Sequence, residues 1–329
     1  MVSRRATLIA IMLSPMLADA ALAQPRRKVW RIGYFFLGSR ESAMQTQRYT
    51  PFLEGMRGLG YVEGRDFTLD ARFADGDSRR FKSMAEDLIQ SAPDVIVVTG
   101  SPLYPHLKKA NKSTPIVVTV SPDPVAEGIA KSLPRPGGHF TGLTTSATET
   151  GLKQVELLRA VLPNLSHYGL LSNPVGGLHG RQVQSHRVLA QRIGVGLVEA
   201  AASTPASLES AFEAMKNGRA QGLIVLGDTF FLQQRAQIVA LALKHSLPTI
   251  SNVREFTEAG GLLSYGLDVP HNIRRAADFV HRIIRGAKPA DLPFEQPTKF
   301  ELTANMRTAK LLKLEIPRQV LVLADRVIE

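Results

Sequence analysis

Between residues 94 and 142 two short runs rich in β-branched side chains, DVIVVT and PIVVTV, each stop abruptly, the first at Gly100-Ser101 and the second at Ser121-Pro122-Asp123-Pro124. A lysine-bearing helical stretch separates them. After the second run come an expected helix starting near Val125, a Gly-Gly turn and a further short strand. Runs that are apolar at every position, rather than at every other one, belong to strands covered on both faces. With helices between them they specify a parallel sheet with helices above and below. Ligands of such sheets sit beyond the carboxyl ends of the strands, so this stretch is expected to form half of a binding cleft.

The same rhythm extends in both directions. Upstream, WRIGYFFL (30–37) and FTLDARF (67–73) read as strands, the second by alternation. Between them Tyr49, Phe52, Leu53, Met56 and Leu59 fall at helical spacing, with Gly60 closing the helix. PRPGGHFTG (134–142) interrupts the pattern, and a first crossing out of this unit is expected at 141–146. Strands are then expected at 167–171, 196–200, 222–226 and 248–250, the first three each followed by a helix, with no sequence repeat. GGLLSYG (260–266) reads as a return crossing, 274–285 as a helix of the first unit, and 299–302 with 306–314 as a closing strand and helix. The fold class is therefore α/β: two Rossmann-like lobes with parallel sheets, joined by a hinge that the chain crosses several times. Residues 24–143 and 267–287 are assigned to the N-terminal lobe and 144–266 to the C-terminal lobe. Residues 288–329 cross near the hinge, and either lobe is open to them.

The first residues carry a different pattern. Arg4 and Arg5 precede an apolar run over 6–17, and Ala21-Leu22-Ala23 is a small-x-small cleavage site before Gln24. These are the three parts of a secretory signal peptide over 1–23. Pro15 and Asp19 interrupt the run, which falls short of a bilayer span, and no cysteine is present to take a lipid. A periplasmic location for the mature chain follows as an expectation. The absence of cysteine also excludes disulfides and thiolate chemistry. Net charge is +11 over the whole sequence, of which Arg4, Arg5 and Asp19 supply +1, leaving +10. In an exported chain that balance argues for a solvated basic surface rather than for nucleic acid.

Catalytic signatures are missing. No G-x-G-x-x-G follows the first strand, and neither a phosphate-binding G-x-x-x-x-G-K nor a G-x-S-x-G elbow occurs. The 8 histidines are dispersed without metal-ligand spacing, so no cofactor or metal is expected. What remains is a ring of small polar residues at expected strand ends. Gly100 and Ser101 can offer backbone N–H groups to an anionic oxygen, and Ser101 can equally be a plain helix cap. Ser121 and Asp123 lie between prolines, where Asp123 can take an ammonium group or cap the following helix. Asn173, Asp228, Thr229 and Asn252 occupy equivalent ends in the second lobe, as turn residues or as contacts. Ser39 and Arg40 follow the first strand, and Tyr104 offers a stacking ring near Ser101 or packs in its lobe.

Several stretches together resemble one family, the exported substrate-binding proteins of ABC transporters that include tryptophan-binding relatives. They are FLEGMRGLGYVEGRDFTLDARFADGD (52–77), DVIVVTGS (94–101), DPVAEGIAKSLPRPGGHFTGL (123–143), GGLLSYG (260–266) and GAKPADLPFEQPTKFELTANMRTAKLLKLEIP (286–317). His139 departs from the asparagine that follows the glycine pair in many members. The resemblance implies a type I periplasmic-binding-protein fold and a small polar or zwitterionic solute held between two lobes, amino-acid-like, since amino acids and especially aromatic ones are ligands of relatives. It further implies delivery to ABC permease subunits in the inner membrane, and a monomeric, non-enzymatic carrier is the expectation. Two other classes remain open on the residues: a two-lobed exported enzyme with Asp123 and Asp228 as its carboxylates, and a periplasmic ligand sensor.

Overall fold

The computed structural model describes residues 28–145, 147–175 and 178–329. The leader expected at 1–23 lies outside the described residues, as do 24–27 and Ser146 at the end of the expected first crossing.

Strands β1 (Trp30–Phe36), β2 (Phe67–Phe73), β3 (Val95–Thr99), β4 (Ile116–Ser121) and β5 (Phe140–Thr144) form a sheet ordered β2-β1-β3-β4-β5. Every pairing in it is parallel. The β-branched run of β3 shows why the sheet is buried on both sides. Val95 and Val97 enter one core with helices Thr50–Gly58 and Val269–Ile284, while Ile96 and Val98 enter the other with Phe81–Gln90 and Tyr104–Ala110. Strand β2 lacks the expected alternation. It is an edge strand in which Phe67 is buried and Leu69 to Phe73 are half-buried.

The second sheet contains β6 (His167–Ser172), β7 (Gly196–Ala201), β8 (Gly222–Val225), β9 (Thr249–Ser251), β10 (Leu263–Leu267), β11 (Phe300–Asn305) and β12 (Arg326–Ile328). Its order is β12-β11-β10-β9-β8-β6-β7. Tyr168, Leu170, Ile224 and Ile250 face one core, and Leu171, Leu223 and Val225 face the other. One pairing departs from the parallel sheet expected: β10 and β11 are antiparallel. The cause is the chain path. After β10 the chain leaves for helix Val269–Ile284 on the first sheet, and it re-enters at Phe300 beside the point where it left. Segment 288–329 thus supplies β11 and β12 to the second sheet.

A further difference lies after β4. The helix expected near Val125 is a turn: Glu127 N–H donates to Asp123 O at 2.9 Å, and the N–H groups of Ile129 and Ala130 both close on Pro124 O at 2.9 and 3.0 Å. Gly128 at φ 69° ends it within one turn.

The passages between the sheets run side by side. Thr144 N–H donates to Glu295 O at 2.9 Å, and Glu295 N–H to Gly142 O at 2.9 Å. Asp268 N–H donates to Lys299 O at 3.1 Å, and the Lys299 ammonium pairs the Asp268 carboxylate at 2.8 Å. Because β5 and β10 both end where the chain crosses, the carboxyl ends of the parallel strands in both lobes point toward the same region.

Candidate functional site

The first-lobe wall is built from the ends of β1, β3 and β4. Ser39 is the N-cap of helix Arg40–Gln45, its Oγ accepting from Ser42 N–H at 3.1 Å. Arg40 is exposed, with its guanidinium carbon 6.0 Å from the centre of the Phe73 ring. Gly100 has φ 122°, and a Cβ there would stand 2.0 Å from Leu37 Cδ2, so the end of β3 lies directly against the end of β1. Ser101 is half-buried, and its hydroxyl makes no hydrogen bond among the described residues, so it does not cap with its side chain. Tyr104 is placed away from the wall. It is 1% exposed, packs edge-on against Phe140, and donates its hydroxyl to the Val120 carbonyl.

At the end of β4 the sequence reading named Ser121 and Asp123 but missed their partner. The fully buried Ser121 donates its hydroxyl to Glu127 Oε2. Burial pushes the Glu127 carboxyl up to about 7, opposed by the Ser121 hydrogen bond and the positive charge of Arg181 and reinforced by Asp123. Its Oε1 is buried without a hydrogen-bond partner among the described residues. Arg181 belongs to helix Leu178–Ile193 of the second lobe, so this carboxyl feels both lobes. Asp123 caps the turn, accepting from Ala126 N–H at 2.9 Å.

The second-lobe wall brings the four expected residues close together. Asn173 Nδ2 donates to Asp228 Oδ1 at 3.1 Å, and the same oxygen accepts from the N–H groups of Phe230 and Phe231 at 2.8 and 3.2 Å. Asp228 is thereby the N-cap of helix Thr229–Gln233, a role that leaves its Oδ2 without a hydrogen bond among the described residues. Thr229 opens that helix, half-buried. Asn252, after β9, lies against Gly227, and its Oδ1 is buried and unpaired among the described residues.

His179 was not found from the sequence. Its Nδ1 accepts from Asn173 N–H at 2.7 Å, so its proton sits on Nε2, 3.3 Å from the Gly227 carbonyl. Burial holds its pKa below the usual imidazole value, against the opposing pull of Asp228 and of the Gly227 carbonyl. A neutral imidazole therefore braces the ends of β6 and β8. No motif marks it, because its partners come from two strand ends rather than from neighbouring turns. Among the described residues no cluster of three or more His, Asp or Glu could hold a metal.

The two walls also touch. Arg48, in the loop before helix Thr50–Gly58, donates Nη1 to Glu255 Oε1 at 2.7 Å on helix Arg254–Glu258 of the second lobe. Farther out, a Cβ on Gly76 would lie 3.1 Å from Gln233 Nε2, placing the loop after β2 against the helix after β8. The acceptor-rich second wall, with a free carboxylate oxygen and an unpaired amide oxygen, suits a hydrogen-bond donor or a cation.

The architecture has known counterparts. A conserved domain protein from Vibrio cholerae aligns with TM-score 0.84 and 26% identity, covering 91% of this chain and 100% of that one. An ABC domain from Streptococcus pneumonia in complex with L-Trp aligns with TM-score 0.83 and 24% identity, over 92% and 100% of the two chains. These likenesses place the fold among type I periplasmic binding proteins. A tyrosine-binding protein from Clostridioides difficile is 25% identical over 264 residues, 80% of this chain and 76% of that protein. The family model described as ABC transporter substrate binding protein matches residues 41–328. With nearly the whole chain inside that match, the protein belongs to the ABC transporter substrate-binding family.

Proposed function

We propose that this chain is the exported, periplasmic solute-binding component of an ABC importer. It closes two lobes on a zwitterionic, aromatic amino acid and presents it to permease subunits as a monomer. The observation that carries the reading is the convergence of both sets of strand carboxyl ends on one cleft, where polar groups wait unpaired. The names of the tyrosine-binding relative and of the tryptophan-bound neighbour support the solute class.

In this reading the lobes are 28–144 with the helix Val269–Ile284, and 147–267 with the strands from Phe300 onward. The crossings beside Thr144, Asp268 and Lys299 absorb the rotation. Asp228 takes the ammonium group through Oδ2, with Asn173 and Asn252 beside it. Ser101 and the nearby residues Ser39 and Arg40 take the carboxylate. Phe230, half-buried next to Asp228, stacks on the solute ring. Contacts from both lobes favour the closed form because only that form makes them together.

The experiment is calorimetric titration of the mature protein with the amino acids, L-tryptophan and L-tyrosine first, preceded by native mass spectrometry for a co-purified solute. Micromolar or tighter binding of an aromatic amino acid is expected. Asp228→Asn keeps a good helix cap but removes the charge, and should weaken binding roughly tenfold or more. Failure of every amino acid to bind would overturn the solute class, and unchanged affinity in Asp228→Asn would overturn the assigned ammonium contact.

A further inference from the structure

We infer that Arg48 and Glu255 form a latch that holds the two lobes together without solute and sets how much of the ligand-free protein is already closed. The pair joins residues 207 positions apart, at 2.7 Å, with side chains only 12% and 14% exposed. Among the described residues, no other ion pair links the two lobes away from the crossing segments. Solute binding as proposed above does not use it.

Both ends are held for this purpose. On the first lobe the Tyr34 hydroxyl donates to the Arg48 carbonyl, Arg48 N–H donates to Ala43 O at 2.7 Å, and Nη1 also donates to Thr46 O at 3.1 Å. Tyr34 sits 3.3 Å from the Thr99 hydroxyl, which accepts from Thr119 at 3.0 Å, so the loop is tied through buried hydroxyls into the centre of the first sheet. On the second lobe Glu255 lies in the first turn of its helix, while the neighbouring Arg254 is engaged with Glu301 and Glu258. Burial is the largest influence and alone would raise the Glu255 carboxyl, but the charge and hydrogen bond of Arg48, its own backbone N–H and the charge of Arg254 together lower its pKa. The pair is therefore ionised, largely shielded from salt, and pre-aimed from a rigid base.

A close charge pair with little solvent around it contributes measurably to an interface, and here the interface is the cleft. Opening the lobes would separate the two charges and rehydrate them. The latch thus trades ligand-free closure against the ease of solute entry. Its effect on apparent affinity follows the closed fraction, because a competent state that is rarer binds more weakly overall.

The inference rests on the two-lobe closure proposed above, and a distance measurement separates the two. The sequence has no cysteine, so Lys82→Cys and Ala236→Cys, exposed positions near the rims of the two lobes, can carry spin labels in the full mature chain. Double electron–electron resonance on ligand-free protein is expected to show a substantial short-distance population. In Glu255→Gln, and in Arg48→Lys as a milder second variant, the closed-to-open ratio should fall, by roughly tenfold in the first. The exchange Arg48→Glu with Glu255→Arg should recover part of the short population. Unchanged distributions in both single variants, with circular dichroism showing native folds, would overturn the latch, as would wild-type protein that is wholly open. If L-tryptophan and L-tyrosine leave the distances unchanged while the variants shift them, the latch stands and the solute assignment fails.

Discussion

His186 is 4% exposed, with Nδ1 3.2 Å from the Tyr168 hydroxyl, and burial pulls its pKa down to about 4. In the unfolded chain the same imidazole titrates near its ordinary value of 6.5. Between those values the unfolded chain holds a proton that the native one does not, so stability falls as pH drops through that window. The cost is about 3 kcal/mol once both values are passed. Urea denaturation at pH 7 and pH 4 should show this loss, and His186→Gln should remove that share of it. Glu127 acts with the opposite sign. Its native pKa of about 7 lies above the ordinary value of 4.5, so its contribution is present below 4.5 and lost as pH rises through 7. Glu127→Gln is therefore expected to be more stable than wild type at pH 8 and close to it at pH 5; equal stability at both would contradict the burial assigned to that carboxyl. None of this could be read from the sequence. Arg48, Glu127, His179 and Glu255 owe their roles to partners brought together by the fold, and only the small polar strand-end residues carried a local signal. Tyr104 lay beside that signal, yet its ring turned into the core because the helix it starts packs on the sheet.

Strands β3, β4 and β6 were legible because burial on both faces demands unbroken apolar runs, and each ends where small polar residues replace them. Strand β12 was not. It has three residues, two of them exposed, and pairs with β11 alone at the sheet edge, so no periodicity forms. The turn after β4 imitated a helix start through Asp123 and was cut short by Gly128. Between β4 and β5 the backbones approach closely at Gly142, whose φ is 138°. A Cβ there would fall 2.1 Å from Val118 O and 2.7 Å from Val118 N. Those are backbone atoms within the sheet and cannot rotate aside. Gly142→Ala is expected to destabilise the protein by roughly 2–4 kcal/mol, read as a fall in the midpoint of thermal unfolding. A variant that melts like wild type would show that β5 can shift freely, contrary to its position between β4 and the crossing at Glu295.

Over the whole molecule charge is spread rather than polarised. Residues 28–145 and 268–299 hold 21 basic and 16 acidic side chains, and 147–267 with 300–329 hold 15 and 12. Each lobe is mildly basic, so net charge opposes closure only weakly and leaves the decision to specific contacts such as the pair at Arg48. Completeness of the first lobe depends on a distant segment. Helix Val269–Ile284 brings eight buried residues to it, among them Phe279, Val280 and Ile283. A fragment of 28–144 is accordingly expected to unfold without a cooperative calorimetric transition, and a sharp transition would show that this cover is dispensable. Translation gives that dependence a direction in time. The ribosome makes the strands of the first sheet early, yet the helix that seals one face of it appears only after β10 has been made. The earliest-made lobe thus waits for a helix made after most of the second, and the second waits in turn for β11 and β12 near the end of the chain, so neither can close its core until most of the polypeptide exists.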